Sequence, residues 1–558
     1  MSGAAPRRVV IVGASAAGLK CAARLARLQP GWRITVVEQR QAFSYAACGL
    51  PYVLSGDLED GERLRRTQDG ALRDPGYFAA VKGVEVLAER RAVRLDPAAK
   101  TLVVEDREGR QEVLPWDELV LACGARPRRL PGQPDHPRVR TFHTLEDVEP
   151  LQRGLATGAI RSVAVVGAGP LGCELAEAFR TLWGASVTLV EQAGWPLPGM
   201  LDAEAGAIVA GVLADNGVAT RFGASVEGIE ADNTRVAVAL PGETVTADVA
   251  VVAVGVEPRL ELVRDTGIAI GPTGAIAVSE RFATSLPHVW AVGDCVEVRH
   301  AVTGAPAYLP LGSLANREGR VLANVLAGRT DLLPPVAGSM AVKVFDCQVG
   351  ATGLTLAAAR RHGFAAATAW VTSHDRAHYW PEARELALAL VYDRESRRVL
   401  GVQCVGSGEA IKRVDVATQF VARGATLAEL SHLEHAYAPP FAPALEPLAV
   451  AAFVARSQEE GIVAASPLEP LDGAEVLDVR HPEEQRAHPL QAARSVAVPL
   501  DALRQRLGEL GAGPWLVVCE RGGRSAEAVR LLRQREVSAT YLGGGLRWPG
   551  AGRGGGER

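Results

Sequence analysis

Val9-Val-Ile-Val-Gly13-Ala-Ser-Ala-Ala-Gly18 is the stretch on which the fold turns. Its four leading apolar residues read as a strand buried on both faces, the glycine-bounded segment as a tight turn, and Leu19–Leu28 as a helix of apolar period. A second strand, Arg33–Val37, follows and ends on Glu38. The pattern then returns: Ser162-Val-Ala-Val-Val-Gly167-Ala-Gly-Pro-Leu-Gly172, a helix over Cys173–Leu182, and a strand Ser186–Val190 ending on Glu191. A βαβ unit repeated within one chain implies an α/β protein with buried parallel strands and two nucleotide sites.

In such a Rossmann turn the first glycine permits the bend and the second lets backbone approach a pyrophosphate held at the helix N-terminus. The third allows close helix–strand packing, and the acid about 20 residues on bonds a ribose. Gly167, Gly169, Gly172 and Glu191 fit the whole pattern, with Leu171 and Gly255 beside the same nucleotide. Glu191 would repel a 2′-phosphate, so NADH is expected in preference to NADPH. The first turn offers Gly13, Ala14, Ser15 and Gly18, with Glu38 as the acid and Gly124 nearby. FAD is expected there, because the strand of Thr284–Asp294 ends on Gly293-Asp294 and can bring a carboxylate to a ribityl chain.

Between these elements lies Ser44-Tyr-Ala-Ala-Cys48-Gly-Leu-Pro-Tyr52. No second cysteine is close in sequence, so Cys48 must work alone, through a mixed disulfide, a persulfide or a sulfenic acid. The run resembles the redox-cysteine motif of the single-cysteine pyridine nucleotide-disulfide oxidoreductases, and residues 7–455 are most similar to their coenzyme A-disulfide and NADH-dependent persulfide reductases. The resemblance implies FAD at the first turn, NADH at the second, coenzyme A as substrate or ligand, and a homodimer. It also implies that Tyr379 and Tyr437 of one subunit face Cys48 of the other and protonate a leaving thiolate, and that Lys20, Arg24, Arg27 and Arg317 contact coenzyme A. Pro170 departs from the group, which commonly covers the flavin with Phe or Tyr there. That departure motivates an alternative, an NADH oxidase or peroxidase working through a Cys48 sulfenic acid.

Near the C-terminus stands Cys519-Glu-Arg-Gly-Gly-Arg-Ser525, after the apolar strand Trp515–Val518 and before a helix over Ala526–Arg535. A thiol at a helix N-terminus, followed by Arg521 and Arg524, is expected to be acidic and nucleophilic. The loop resembles the active loop of rhodaneses, with Val476-Leu-Asp-Val-Arg480 and Leu542-Gly-Gly-Gly-Leu-Arg-Trp548 as its flanking motifs. Cys519 and Arg524 are thereby implied as sulfur-transfer residues. A third reading, a flavin redox sensor whose C-terminal module docks a partner, belongs to another class.

The expected architecture is α/β: two Rossmann-like nucleotide-binding domains, an α+β dimerisation domain and a C-terminal α/β rhodanese-like domain. The FAD domain is assigned to 1–150 and 281–335, the NAD domain to 151–280 and the dimerisation domain to 336–455. A linker at 456–462 opens the polar stretch Ser457–Gly473, the rhodanese-like domain takes 463–549, and 550–558 is a disordered tail. Net charge −4 among 558 residues gives no electrostatic reason for nucleic-acid binding. With no apolar run of about 18 residues no membrane partner is expected, and with eight scattered cysteines a reducing cytoplasm is. The expected small-molecule partner is a thiol persulfide or disulfide. No metal site is expected, since His374 with His378, and His432 with His435, lack further ligands.

Overall fold

The computed structural model describes residues 6–490 and 492–552. Both quoted repeats form the βαβ unit. Arg8–Val12 pairs in parallel with Arg33–Val37 on one side and Glu118–Leu121 on the other, within a sheet completed by Glu85–Leu87 and Val289–Ala291. Ser162–Val166 is likewise central, between Ser186–Glu191 and Val249–Val252. Parallel strands covered by helices on both faces demand apolar residues at every position, and the continuous Val/Ile runs supply them.

The helices start earlier than their apolar period indicates, at Ala16 and Pro170, because the turn residues themselves form the first helical turn. The outer strand of the second sheet is Val139–Thr141, paired with Val249–Val252. That sheet therefore begins before the expected boundary at 151; a three-residue strand with two polar members carries too little pattern to be read.

The third domain is an antiparallel five-stranded sheet in the spatial order Met340–Val344, Cys347–Gly353, Val399–Gly406, Glu385–Asp393, Ala366–His374. Alternate residues of Glu385–Asp393 serve two cores. Leu386, Leu388 and Leu390 pack toward the domain's own helices, while Ala387 and Ala389 face the core shared with the second domain. Small residues on one face let the domains approach closely, and large ones on the other fill the domain's interior.

The helix Pro447–Glu459 runs through most of the expected linker, and Glu459 ties its end to the sheet by accepting from the Tyr392 hydroxyl at 3.0 Å. Only a short turn remains before Ala464–Ala465, which pairs with Ala539–Leu542 in the fourth domain's sheet. Leu471, in the polar stretch Ser457–Gly473, is buried in that domain. The sheet is parallel, ordered Ala464–Ala465, Ala539–Leu542, Trp515–Val518, Glu475–Asp478, Ser495–Ala497. Of the expected tail, residues 550–552 are turns held by bonds such as Gly552 N to Pro467 O (3.1 Å), whereas 553–558 lie outside the described residues.

The fourth domain is docked. Trp548 is buried in the core that the second and third domains share, and its indole donates to Glu204 O at 3.1 Å. Among the described residues no helix is long and apolar enough to cross a membrane.

Candidate active site

The two turns are built alike. Gly13 has φ +113°, and a side chain there would sit 2.1 Å from the Ala122 carbonyl oxygen. Gly167 has φ +101° and meets Ala253 O at 2.6 Å. Only glycine fits such positions. Gly18 and Gly172 pack against the carbonyls of Gly13 and Gly167, where an added Cβ would lie 2.0 and 1.8 Å away. The acids also match: Glu38 accepts from Ala14 N and Glu191 from Ala168 N, each at 2.9 Å. Space is open above Gly169 and Gly255, where an added Cβ would meet no atom within 4 Å, so backbone is free to meet a pyrophosphate. Leu171 packs against the shared core, and Pro170 is exposed as the first residue of its helix.

A cavity of about 480 Å³ opens at the first turn, lined by Gly13, Ala14, Ser15, Glu38, Gly124 and Asp294 among others. Gly18 and Gly293 support it from behind: the Gly293 N–H donates to the buried Glu318 carboxyl at 2.5 Å. Burial lifts Glu318 to about 8 and Asp294 to about 6. No protein group among the described residues bonds the Asp294 carboxylate, so a polar group aimed into the cavity is left for a ligand. A dinucleotide with a ribityl chain fits this donor set, and FAD would be held by these residues.

Cys48 stands at the cavity's edge. Its loop is tied to the turn by Ser44 N donating to Ala14 O at 3.1 Å, and Ser44, Tyr45 and Ala47 line the cavity. Pro51 lies in the first turn of the short helix Leu50–Leu54, whose apolar residues are buried in the second domain's core, with Trp183 Nε1 donating to Leu54 O at 2.8 Å. The thiol thus sits on a rigid base between the two nucleotide domains. Of the eight cysteines it alone is exposed; Cys123, which also lines the cavity, is half-buried and its thiol is pushed up to about 12 by burial. The N-terminal residue of the helix Gly312–Leu326 adjoins the sulfur, since a Cβ at Gly312 would lie 3.9 Å from Sγ.

Loss of hydration raises the Cys48 thiol pKa, and the carboxylates of Glu174 and Asp294 raise it further. Glu174 projects from the helix Pro170–Thr181 and accepts a hydrogen bond from the Tyr52 hydroxyl at 3.2 Å. Burial lifts its carboxyl to about 7. Glu174 is not among the residues expected from sequence, although Tyr52 belongs to the quoted motif and Glu174 follows Gly172 by two positions.

Tyr379 and Tyr437 come together on the third domain. Ala377 N donates to Pro439 O at 3.2 Å, joining their loops, and the two hydroxyls share a hydrogen bond that raises the Tyr379 pKa. Both rings are exposed, by 64% and 50%, and so are Phe441 and Leu445 in the same segment. Such apolar exposure is that of an interface.

The basic face of the first helix is rearranged relative to expectation. Lys20, Arg27 and Arg317 are exposed, but Arg24 is half-buried and donates to Asn324 Oδ1 at 3.0 Å. Lost hydration and the nearby Arg320, Arg329 and Arg27 lower its pKa. Arg320 and Arg329 could not be placed beside Arg24 from sequence, because helix packing brings them there.

In the fourth domain Cys519 is 1% exposed at the N-terminus of the helix Gly523–Arg533. Its sulfur receives the N–H groups of Gly522 (3.2 Å) and Ser525 (3.3 Å). Gly545, at φ +71°, presses on the loop so closely that a Cβ would lie 2.6 Å from Gly522 N. The positive potential expected of the arginines is largely offset: Arg524 makes two 2.6 Å bonds to Glu484, and Arg521 reaches Glu385 of the third domain at 2.5 Å and His374 at 3.3 Å. His374 in turn lies near His378, which meets the Tyr379 ring edge-on. The Cys519 loop therefore abuts the segment that carries the paired tyrosines.

A family model described as pyridine nucleotide-disulphide oxidoreductase matches residues 7–308, and one for that family's dimerisation domain matches 339–449. The NAD(P)H sulfur oxidoreductase (CoA-dependent) of Pyrococcus furiosus is 34% identical over 451 residues, which is 80% of this chain and 99% of the relative. Among solved structures, a NAD-dependent persulfide reductase from A. fulgidus matches with TM-score 0.92 at 36% identity, over 97% of this chain and 99% of that one. Reduced Bacillus anthracis CoADR-RHD matches with TM-score 0.88 at 29% identity, over 98% of both chains. Both structures extend through the fourth domain.

Proposed function

Because this chain belongs to the pyridine nucleotide-disulphide oxidoreductase family, we propose that it reduces the sulfane sulfur of a thiol persulfide, or a coenzyme A disulfide, with electrons from NADH, using Cys48 as its one redox thiol. It is an FAD-dependent NAD(P)H oxidoreductase acting on sulfur groups. The observation that carries the finer reading is Cys48 itself: an exposed thiol, fixed between two nucleotide domains, on a loop bonded to the turn that holds the first nucleotide.

Gly13, Ala14, Ser15, Glu38, Gly124 and Asp294 would hold FAD, which when bound would supply two-electron exchange between nicotinamide and sulfur. NADH is assigned to Gly167, Gly169, Leu171, Gly172 and Gly255, with the charge of Glu191 set against a 2′-phosphate. The Cys48 thiolate attacks the outer sulfur of RS–SH, forming a persulfide on Cys48 and expelling RS⁻; a disulfide RS–SR gives a mixed disulfide in the same way. Tyr379 and Tyr437 of the opposite subunit protonate the leaving thiolate. Their shared hydrogen bond favours that role, since one hydroxyl can donate outward while accepting from the other. Exposed cations on the first helix, Lys20 and Arg27, and Arg317 are assigned to the phosphates of coenzyme A, joined by Arg320 and Arg329. Arg24, bonded to Asn324, positions that helix.

The fourth domain is assigned as a rhodanese-like carrier in which Cys519 holds sulfane sulfur. Its loop sequence, its buried thiol with two N–H donors and the extent of the match to the A. fulgidus and B. anthracis structures support this. The test is mass spectrometry of both cysteines after anaerobic exposure to CoA persulfide, followed by NADH. One added sulfur on Cys48, removed by NADH, is expected; a Cys48→Ser enzyme that turned over persulfide at the native rate would end the proposal.

A further inference from the structure

The charges around Cys519 bear on which sulfur donor the fourth domain accepts. Four guanidinium groups are in or against its loop, and each is committed to a carboxylate. Arg524 holds Glu484, Arg521 holds Glu385, Arg547 holds Glu520 at 2.7 Å, and Arg480 is shared between Asp478 (2.9 Å) and Glu520 (3.2 Å). Four positive groups thus face four negative ones. Stabilisation of negative charge at the sulfur is left to neutral donors, the N–H groups of Gly522 and Ser525 and the Ser525 hydroxyl. The Ser525 hydroxyl lies 3.3 Å from the sulfur and 2.9 Å from Gly522 O, so it adds one neutral donor that the two acceptors share and no positive charge. Arg521 matters most, because it lies at the second position after the cysteine and is drawn out of the loop by a different domain.

Resting on the carrier reading above, the geometry points to a thiol persulfide, RS–SH, as the sulfur donor to Cys519, with thiosulfate selected against. In the favoured reaction the Cys519 thiolate attacks the outer sulfur of RS–SH. The Sγ–S bond forms as the RS–S bond breaks, the electron pair leaves on RS⁻, and the proton stays on the transferred sulfur. No net oxidation occurs, and one negative charge is exchanged for another. Thiosulfate would bring two negative charges and expel sulfite carrying both. Such an anion needs unpaired cations or additional N–H donors, and the pairing described removes the former.

The experiment uses the full chain carrying Cys48→Ser, so that only Cys519 is loaded. Its persulfide is followed by mass spectrometry after mixing with glutathione persulfide, CoA persulfide or thiosulfate at equal concentration. Either thiol persulfide is expected to load Cys519 at least about ten-fold faster than thiosulfate. Glu385→Gln, which frees Arg521, should raise the thiosulfate rate several-fold and leave the persulfide rates within about two-fold. Arg521→Gln, which leaves Glu385 unpaired, should lower the thiosulfate rate further and leave the persulfide rates within about two-fold. Loading from thiosulfate as fast as from persulfide, or a Glu385→Gln protein with no gain on thiosulfate, overturns the inference while the carrier reading stands. If no donor loads Cys519, the carrier reading itself falls.

Discussion

Cys48 and Cys519 are both single thiols near a helix N-terminus, yet their surroundings are opposed. Cys48 is exposed, adjoins an α-helix start and lies in the field of two carboxylates that disfavour its charge. Cys519 is sealed, with two N–H groups directed at its sulfur and paired arginines around it. The contrast matches the two tasks assigned to them. A thiol that exchanges electrons must be reached by a substrate on one side and a cofactor on the other, so it stands at a cavity mouth. A thiol that only stores sulfur is better enclosed, since a persulfide left open to water and oxidants is lost.

The largest effect that separates the two is removal of either sulfur. Cys48→Ser should lower NADH-dependent reduction of CoA persulfide by about 10³-fold or more, because no other exposed cysteine can substitute. Cys519→Ser should leave that same rate within about two-fold while abolishing sulfur loading of the fourth domain. Equal losses in both variants would mean that the two thiols act in series on every turnover, and the division of labour would be wrong. Next in size is the tyrosine pair. Tyr379→Phe with Tyr437→Phe should cost about 10- to 10²-fold in kcat, as expected for loss of a proton donor, with little change in Cys519 loading. A uniform loss of dimer in that variant, seen by light scattering, would instead assign the rings to the interface.

A smaller effect sharpens the electrostatic half of the comparison. Glu174 raises the Cys48 pKa, and its own carboxyl, lifted to about 7, becomes charged over the neutral range. Glu174→Gln should therefore lower the Cys48 pKa and increase its alkylation rate at pH 7–8 by about three- to ten-fold. The wild-type rate should rise less steeply with pH through that range than the variant's, because ionisation of Glu174 opposes formation of the thiolate. A variant that reacts no faster than wild type would place Glu174 too far from the sulfur to matter.

These residues also show what the sequence could reveal. The turns at Gly13 and Gly167, the Cys48 loop and the Cys519 loop are legible because each is a local backbone requirement, written in consecutive residues: positive φ, a carbonyl in van der Waals contact, a proline in the first turn of a helix. The carboxylates that set the character of each thiol are not local. Tyr52 and Glu174 are 122 positions apart, Arg521 and Glu385 are 136 apart, and only the packing of domains joins them. Arg521 reads as a free cation for that reason, and Arg524 because the fold of the fourth domain brings Glu484 to it from 40 positions away. The outer strand Val139–Thr141 escaped notice on the same account, since its place is fixed by Val249–Val252 across the sheet.

The smallest expected effect concerns the shell of Cys519. Glu484 is held at about 2 by the two bonds from Arg524, and its other duty is to accept from His481 N at 2.9 Å at the start of the helix Pro482–Ala487. Its folded pKa lies below the unfolded one, so its contribution to stability is present above about pH 4.5 and is lost as pH falls toward 2. The pair is about 30% exposed, at 27% and 31%, so solvent screening limits the contribution, and about 1 kcal/mol or less is expected. Glu484→Gln should accordingly lower the thermal midpoint of the fourth domain by a few degrees at pH 7 and by less at pH 3. The same variant leaves Arg524 unpaired beside Cys519 while leaving the Cys48 loop untouched. Alkylation kinetics of the two thiols in one protein should then diverge, Cys519 gaining and Cys48 holding its wild-type rate. Equal changes at both would show that the two shells are coupled through the third domain.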